Sequence, residues 1–210
     1  MGTNQDYKNR ALASLEGMWG TAAIATLIYL VLTMGINWGI TVPMGDDFVI
    51  SYSTSGIWAL ICLPLGWGFV NYFLNLIRKE ELNFGQLFDG YKDFVRIFVT
   101  VLMVDIATII GLCLFIVPGI ILMAGLVMTD FVMKDDKEIG YIDAMKKSWE
   151  LTDGHKGDLI WLFLSFLGWM ILAGLTLCIG FIFLYPYMQS ALAHVYEDLK
   201  AEKQKESQTL

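Results

Sequence analysis

The sequence predicts an all-α protein, a polytopic bundle of six membrane-spanning helices arranged as three hairpins, each preceded by a short amphipathic interfacial helix. Two features of the composition carry this prediction. Hydrophobic residues make up 56% of the chain and charged residues only 17%, against about 25% charged in a typical soluble domain. The hydrophobic residues also form runs of about 20, the length that crosses a bilayer core. The charged residues lie between those runs.

The hydrophobic runs place six spans within a single domain, 1–210. Residues 1–18 form an N-terminal amphipathic segment, 19–196 the bundle and 197–210 a polar tail. The spans are predicted at 19–40, 56–77, 94–117, 118–133, 159–177 and 180–196. The first run is too long for the core of a cleavable signal peptide, so we expect it to be retained. The fourth has only 16 residues, which leaves open whether spans three and four cross fully or form a tilted or re-entrant hairpin.

The basic residues predict the orientation of the bundle. Of the 14 Lys and Arg residues, 13 precede span one, follow span six, or lie between spans two and three or four and five, and the other, Arg96, is at the start of span three. By the positive-inside rule, both termini are expected in the cytoplasm. The connection between spans one and two carries Asp46 and Asp47, with Trp38 and Trp58 beside it in the position of an aromatic belt.

Composition also bears on cofactors and partners. The net charge of -7 argues against nucleic acid as a partner. Cys62, Cys113 and Cys178 lie inside hydrophobic runs and lack the paired spacing of metal ligands, so we expect no metal and no cofactor. Packing as small hydrophobic side chains is the expected role of these cysteines. The expected partners are the lipid bilayer and, as an open possibility, other membrane proteins; the oligomeric state is left open.

Three short amphipathic segments precede spans one, three and five. Each has apolar residues at helical spacings of three and four, and an acid–glycine pair closes each one or lies close to its end. Their apolar stripes are Tyr7, Ala11, Leu15 and Met18; Phe84, Phe88, Tyr91 and Val95; and Ile142, Met145, Trp149 and Thr152. The pattern indicates helices that lie on the inner leaflet before the chain turns into the membrane, and it is typical of a tandem parallel repeat.

Asp105 is the principal candidate for an intramembrane site. It lies near the middle of span three, where a carboxylate costs about 2.5–3.5 kcal/mol to insert. Thr108 is one turn further on, and candidate partners at similar depth are Asn71, Ser165 and Gln189. Apart from Arg96, at the start of span three, no Lys or Arg lies within a span. Asp105 is therefore either a proton or cation site, or a carboxyl group that holds the bundle together by hydrogen bonds between helices; the second interpretation is favoured.

Other polar and helix-breaking residues suggest further features. Pro64 and Pro186 are predicted to kink spans two and six, and Pro118 with Gly119 to form the outer turn between spans three and four. Gly35 and Gly39 form a GxxxG packing motif. Asp130 and His194 are expected at the cytoplasmic interface, where separate polar roles are favoured over a proton relay between them.

Several motifs resemble a known family. They are Ala144-Met145-Lys146-Lys147-Ser148-Trp149, Asp153-Gly154-His155-Lys156, Val117-Pro118-Gly119-Ile120, Leu164-Ser165-Phe166-Leu167-Gly168-Trp169, Thr176-Leu177-Cys178-Ile179-Gly180 and Tyr185-Pro186-Tyr187. The chain resembles an uncharacterised bacterial integral-membrane family, the domain of unknown function nine-seven-five. Cys178 departs from its pattern, which usually has glycine there. The resemblance implies a multi-pass protein of a bacterial cytoplasmic membrane and no particular activity.

Two functional hypotheses follow. The first is a non-enzymatic scaffold or accessory membrane protein, based on short outer loops and amphipathic inner helices. The alternative is a small transporter or lipid-handling carrier that uses Asp105. An intramembrane enzyme is not expected, because HExxH, GxSxG, Walker A and paired-cysteine motifs are all absent from the sequence.

Overall fold

The computed structural model describes residues 2–34, 39–43, 49–53, 55–176 and 179–209. These residues are overwhelmingly helical, as the sequence predicts. The helices are α1 (Asn4–Leu15), α2 (Trp19–Met34), α3 (Ser55–Ile77), a 3₁₀ helix (Phe84–Tyr91), α4 (Phe94–Leu114), α5 (Ile116–Leu126), α6 (Thr129–Asp135), α7 (Tyr141–Leu151), α8 (Lys156–Leu175) and α9 (Phe181–Thr209). Strands β1 (Gly39–Pro43) and β2 (Val49–Ser53) pair antiparallel between α2 and α3.

Within the described ranges, four helical segments are long and apolar enough to cross a membrane. They are Gly56–Ile77, Phe94–Leu114, Ile116–Asp135 and Lys156–Leu175. A fifth candidate is the pair α1 and α2, which satisfies the same criterion only if the two helices, bent by 97°, form one span. Large apolar side chains cover the outside of α4 and α8, and Trp161 is 66% exposed. Such a surface is expected where lipid replaces water.

The core forms around α9, which contacts α1, α2, α3, α7 and α8. One buried cluster includes Tyr7, Phe131 and Phe166 and collects residues from both ends of the chain. A second cluster joins α2, α3 and the 3₁₀ helix, and in it the Tyr29 ring stacks on Phe69 with 4.2 Å between ring centroids. The last helix therefore holds the N-terminal and C-terminal halves together.

Charged residues close one end of the bundle. The Arg78 guanidinium, just beyond α3, lies 2.7 Å from an oxygen of Asp135 in α6 and 2.7 Å from an oxygen of Glu197 in α9. Lys200 and the Tyr196 hydroxyl also bond the Asp135 carboxylate. These contacts join three helices at the end where the sequence predicts the cytoplasm.

The three amphipathic segments do not behave alike. In α1, Tyr7, Ala11 and Leu15 are fully buried, so the predicted stripe faces protein rather than lipid. The reason is that α1 lies against α9 and uses its apolar face there. The stripes of the other two segments include exposed residues, with Phe88 46% and Ile142 48% exposed.

The connection between α4 and α5 differs from the predicted outer turn. The chain turns at Phe115, whose backbone is extended, and Pro118 and Gly119 lie inside the first turns of α5. Proline fits this position because the first turn of a helix leaves its N–H groups unbonded. Gly119 lets the two helices meet, since a Cβ there would lie 2.5 Å from the backbone nitrogen of Leu112.

Several residues named in the sequence analysis lie outside the described part of the chain, and one cysteine is not buried as predicted. Gly35, Trp38, Asp46, Asp47 and Cys178 lie outside the described residues. Among the other cysteines, Cys113 is exposed on α4 rather than buried.

We expect Gly119→Ala to lower stability by about 1–3 kcal/mol, because the new methyl group has no space against α4. Gly168→Ala is the matched control. That glycine is also inside a helix, and a Cβ there meets nothing within 4 Å. Thermal unfolding in detergent should show a lower Tm for Gly119→Ala and an unchanged or higher Tm for the control. Equal Tm values for the two variants would contradict the tight α4–α5 contact.

Candidate functional site

A polar cavity of about 380 Å³ lies between α2, α3, α4, α6 and α9. Its polar lining comes from different helices: Tyr29, Thr33, Cys62, Asp130, Tyr185 and Gln189. The remaining wall is apolar or aromatic and includes Trp67, Phe69 and Val101. A largely apolar cavity with a few converging polar groups is the usual form of a small-ligand site.

A second cavity of about 170 Å³ adjoins the first. The two share four wall residues, Val70, Val101, Asp130 and Gln189. Asp105 belongs to the second cavity and is exposed, so it lies at the rim. The predicted site residue Asp105 is thus brought beside a second carboxyl group, Asp130, that the sequence placed elsewhere.

Neither carboxyl group has a cationic partner within the part of the chain that the structure describes. Asp105 and Asp130 form no ion pair or side-chain hydrogen bond there. Both groups line the smaller cavity. Two neighbouring carboxylates repel each other strongly in a medium of low dielectric constant. A proton or another cation at this place would relieve that repulsion.

The other predicted partners of Asp105 divide into two groups. Gln189 lines both cavities, and its side-chain oxygen is buried without a donor among the described residues. Asn71, only 2% exposed, donates to the Trp67 carbonyl at 2.9 Å and to the Asp130 carbonyl at 3.4 Å. Thr108 lines neither cavity. Ser165 donates to a carbonyl of its own helix.

Asp130 follows a break in the membrane segment that contains it. The helix stops at Leu126 and starts again at Thr129. The sequence placed Asp130 at the interface because span four was counted from Pro118 to Met133. The apolar segment in the structure is Ile116–Asp135, and Asp130 lies on the wall that the two cavities share.

The break is closed by side chains of α7. The Ser148 hydroxyl donates to the Gly125 carbonyl at 2.8 Å, and the Thr152 hydroxyl approaches the same oxygen at 3.3 Å. Ser148 and Thr152 are both fully buried. The Trp149 ring covers Gly125, where a Cβ would lie 2.3 Å from a ring carbon. The motif 144–149 therefore holds the interrupted helix next to Asp130.

Pro64 and Pro186 both lie inside helices, α3 and α9. Near Pro64, where the ring removes a backbone donor, the Tyr91 hydroxyl donates to the Ile61 carbonyl at 2.8 Å. Next to Pro186, Tyr185 lines the larger cavity. Both prolines thus occur in the helices that form the walls of the site.

His194 belongs to a different network from Asp130. Its Nε2 lies 2.8 Å from the Ser14 hydroxyl, and its Nδ1 accepts from Arg10 at 3.3 Å. Because arginine can only donate, Nδ1 carries no proton and Nε2 carries one. Nε2 therefore cannot take a proton from Ser14, and the pair is not arranged as a nucleophile and base.

Arg10 also bonds Asp198 with two nitrogens, at 2.6 and 3.0 Å. Burial alone would raise the pKa of Asp198, but the bonded guanidinium overcomes this and holds that pKa below its usual value. This ion pair fixes α1 on α9. No group of three or more His, Cys, Asp or Glu side chains with metal-binding geometry occurs among the residues described here.

We predict that Ser148→Ala lowers stability by about 1–3 kcal/mol, because it removes the shorter of two bonds to the buried Gly125 carbonyl. Ser165→Ala is the control, since the Ser165 hydroxyl only bonds Leu162 within its own helix. Chemical unfolding in detergent should separate the two variants. If both lose the same stability, the proposed closure of the break by α7 is wrong.

The comparisons with known proteins concern the C-terminal part of the chain. No curated protein and no solved structure matches the chain. Residues 106–203, which include Asp130, the α5–α6 break, α7 and Gln189, match the model of one family. That family is described as "Protein of unknown function (DUF975)", and the match confirms the resemblance that the motifs predicted.

Proposed function

We propose that this chain is a small cation carrier of the membrane, in which Asp105 and Asp130 bind either protons or a monovalent cation. The observation that carries the proposal is the pair of carboxyl groups on one cavity wall without a basic partner among the described residues. This proposal makes the carrier hypothesis of the sequence analysis more specific. The scaffold hypothesis stays a prediction, and we favour the carrier over it because of the cavity.

The electrostatics of the pair support exchange. With two negative charges the site is costly, because inserting each carboxylate alone costs about 2.5–3.5 kcal/mol. A bound proton or a bound cation each relieves that cost, so the two compete for the same site. The unbonded Gln189 oxygen supplies an additional neutral ligand for a cation.

The interrupted helix supports the same role. Carriers commonly place their ion sites beside broken helices near the middle of the membrane, because irregular backbone is tolerated where it lines a cavity. Here the break at 127–128 is next to Asp130. Proline-containing helices α3 and α9 form further walls.

We also propose that α2 and α9 complete a six-span, three-hairpin bundle in a bacterial cytoplasmic membrane, with both termini in the cytoplasm. The distribution of basic residues supports this orientation. So does the charged network of Arg78, Asp135 and Glu197, which lies at one end of three helices. The exposed apolar faces of the 3₁₀ helix and α7 support an interfacial position for both.

An enzymatic role is not proposed. Ser14 and His194 are the one hydroxyl–imidazole pair that approaches a catalytic geometry within the described ranges, and Arg10 holds His194 in the unsuitable tautomer. The chemistry that the cavity supports is binding and release, with no nucleophile beside a base.

The proposal is tested with full-length protein in sealed vesicles that contain a pH-sensitive dye. When sodium or potassium chloride is added outside, cation entry in exchange for protons should make the vesicle interior more alkaline. Asp105→Asn and Asp130→Asn should abolish this response, since the amide cannot release a proton. Thermal unfolding should show that both variants remain folded, because removing an unpaired charge does not weaken the bundle.

Asp143→Asn is the control, because it also removes one carboxylate, but from an exposed position on α7. It should leave proton exchange at the wild-type rate. A wild-type protein that gives no alkaline response with either cation contradicts the proposal. So does an Asp105→Asn variant that exchanges normally but unfolds at a lower temperature, which is the behaviour of a purely structural carboxyl group.

A further inference from the structure

A pocket lined mainly by basic side chains, separate from the two cavities described above, lies near the start of α4. It measures about 150 Å³, which is the volume of about five water molecules. Four cationic side chains line it: Lys92, Arg96, Lys134 and Lys137. The carboxylates of Asp89 and Asp93 are also in its wall. The cations are therefore in excess, in contrast to the Asp105–Asp130 cavity.

The two acidic groups do not neutralise the whole pocket. Asp89 bonds Lys92 at 2.7 Å, and Asp93 approaches Arg96 only at 3.8 Å. Lys134 and Lys137 take part in no ion pair among the residues that are described. Two positive charges are thus available for a ligand.

Arg96 is fixed in the wall of this pocket, because its terminal nitrogens donate to the carbonyls of Met133, Asp136 and Ile139. Its positive charge adds to those of the lysines.

The surroundings of the pocket point to a lipid as the source of those oxygens. Exposed apolar residues stand next to its lining residues in the chain: Phe88 precedes Asp89, and Phe94 and Val95 lie between Asp93 and Arg96. Val95 is 72% exposed. A basic pocket with exposed apolar neighbours in the chain, at the end of the bundle that we propose to be cytoplasmic, is suited to a phosphate headgroup whose acyl chains stay in the bilayer.

We propose that this pocket binds the headgroup phosphate of one anionic phospholipid. Lys134 and Lys137, which form no ion pair among the described residues, supply the charge that holds the phosphate. The inference does not depend on cation exchange, because neither lysine is proposed to bind the transported ion. Failure of one proposal therefore leaves the other in place.

The test is native mass spectrometry of the full-length protein with equal amounts of short-chain phosphatidylglycerol and phosphatidylcholine. The wild-type protein should retain one phosphatidylglycerol in preference to phosphatidylcholine. Lys134→Gln with Lys137→Gln should weaken this binding by about tenfold or more, because charge-assisted hydrogen bonds are lost.

Lys146→Gln with Lys147→Gln is the matched control. It also removes two positive charges, from exposed positions on α7, and should retain phosphatidylglycerol like the wild type. Equal losses in both double variants, or equal retention of the two lipids by the wild type, would overturn the proposal. Displacement of the lipid by an equal concentration of inorganic phosphate would also overturn it, because the site would then serve a free anion.

Discussion

A buried backbone carbonyl that leaves its helix has no water to bond, so the protein itself must supply a donor. The Gly125 carbonyl is in this position, because the helix stops at Leu126. Ser148 and Thr152 supply the donors from α7. The interruption that places Asp130 on the cavity wall thus depends on a helix that the sequence marks only as a surface element. The most recognisable motif of the chain, 144–149, has a structural role at the site.

That dependence explains why α7 and α1 differ although their sequences look alike. Both are amphipathic, but the residues that each helix buries depend on the helix beside it. The neighbour of α1 is α9, which offers an apolar groove and the Asp198 carboxylate, so Tyr7 is buried and Arg10 pairs. The neighbour of α7 is a broken helix with a free carbonyl, so small hydroxyl residues are buried and Trp149 stays partly exposed. Periodicity identifies an amphipathic helix but does not say which face meets protein.

The helical class and four of the spans could be predicted, because the thickness of a bilayer sets both the length of the apolar run and the length of the helix that it forms. Asp105 could be selected because a mid-span carboxylate is costly wherever it points. Asp130 could not be selected, since its place on the cavity wall depends on the turn at Phe115 and on the break at 127–128. The turn at Phe115 contains neither glycine nor proline, whereas the Pro118–Gly119 pair that suggests a turn is used for helix start and close packing. The pairing of Asp105 with Asp130 needs that three-dimensional information.

The larger cavity and the basic pocket have opposite electrostatic character and share one wall residue, Trp67. Asp130 is the acidic residue that lines the larger cavity, whereas the basic pocket has four cationic side chains and two carboxylates. Elsewhere in the molecule acidic and basic side chains pair with each other, as Arg78 and Asp135 do. Asp130 and the lysines of the basic pocket belong to different walls, and they form no ion pair with each other among the described residues. Separation of charge, rather than its burial alone, is therefore what distinguishes these cavities from ordinary packing defects in a helical bundle.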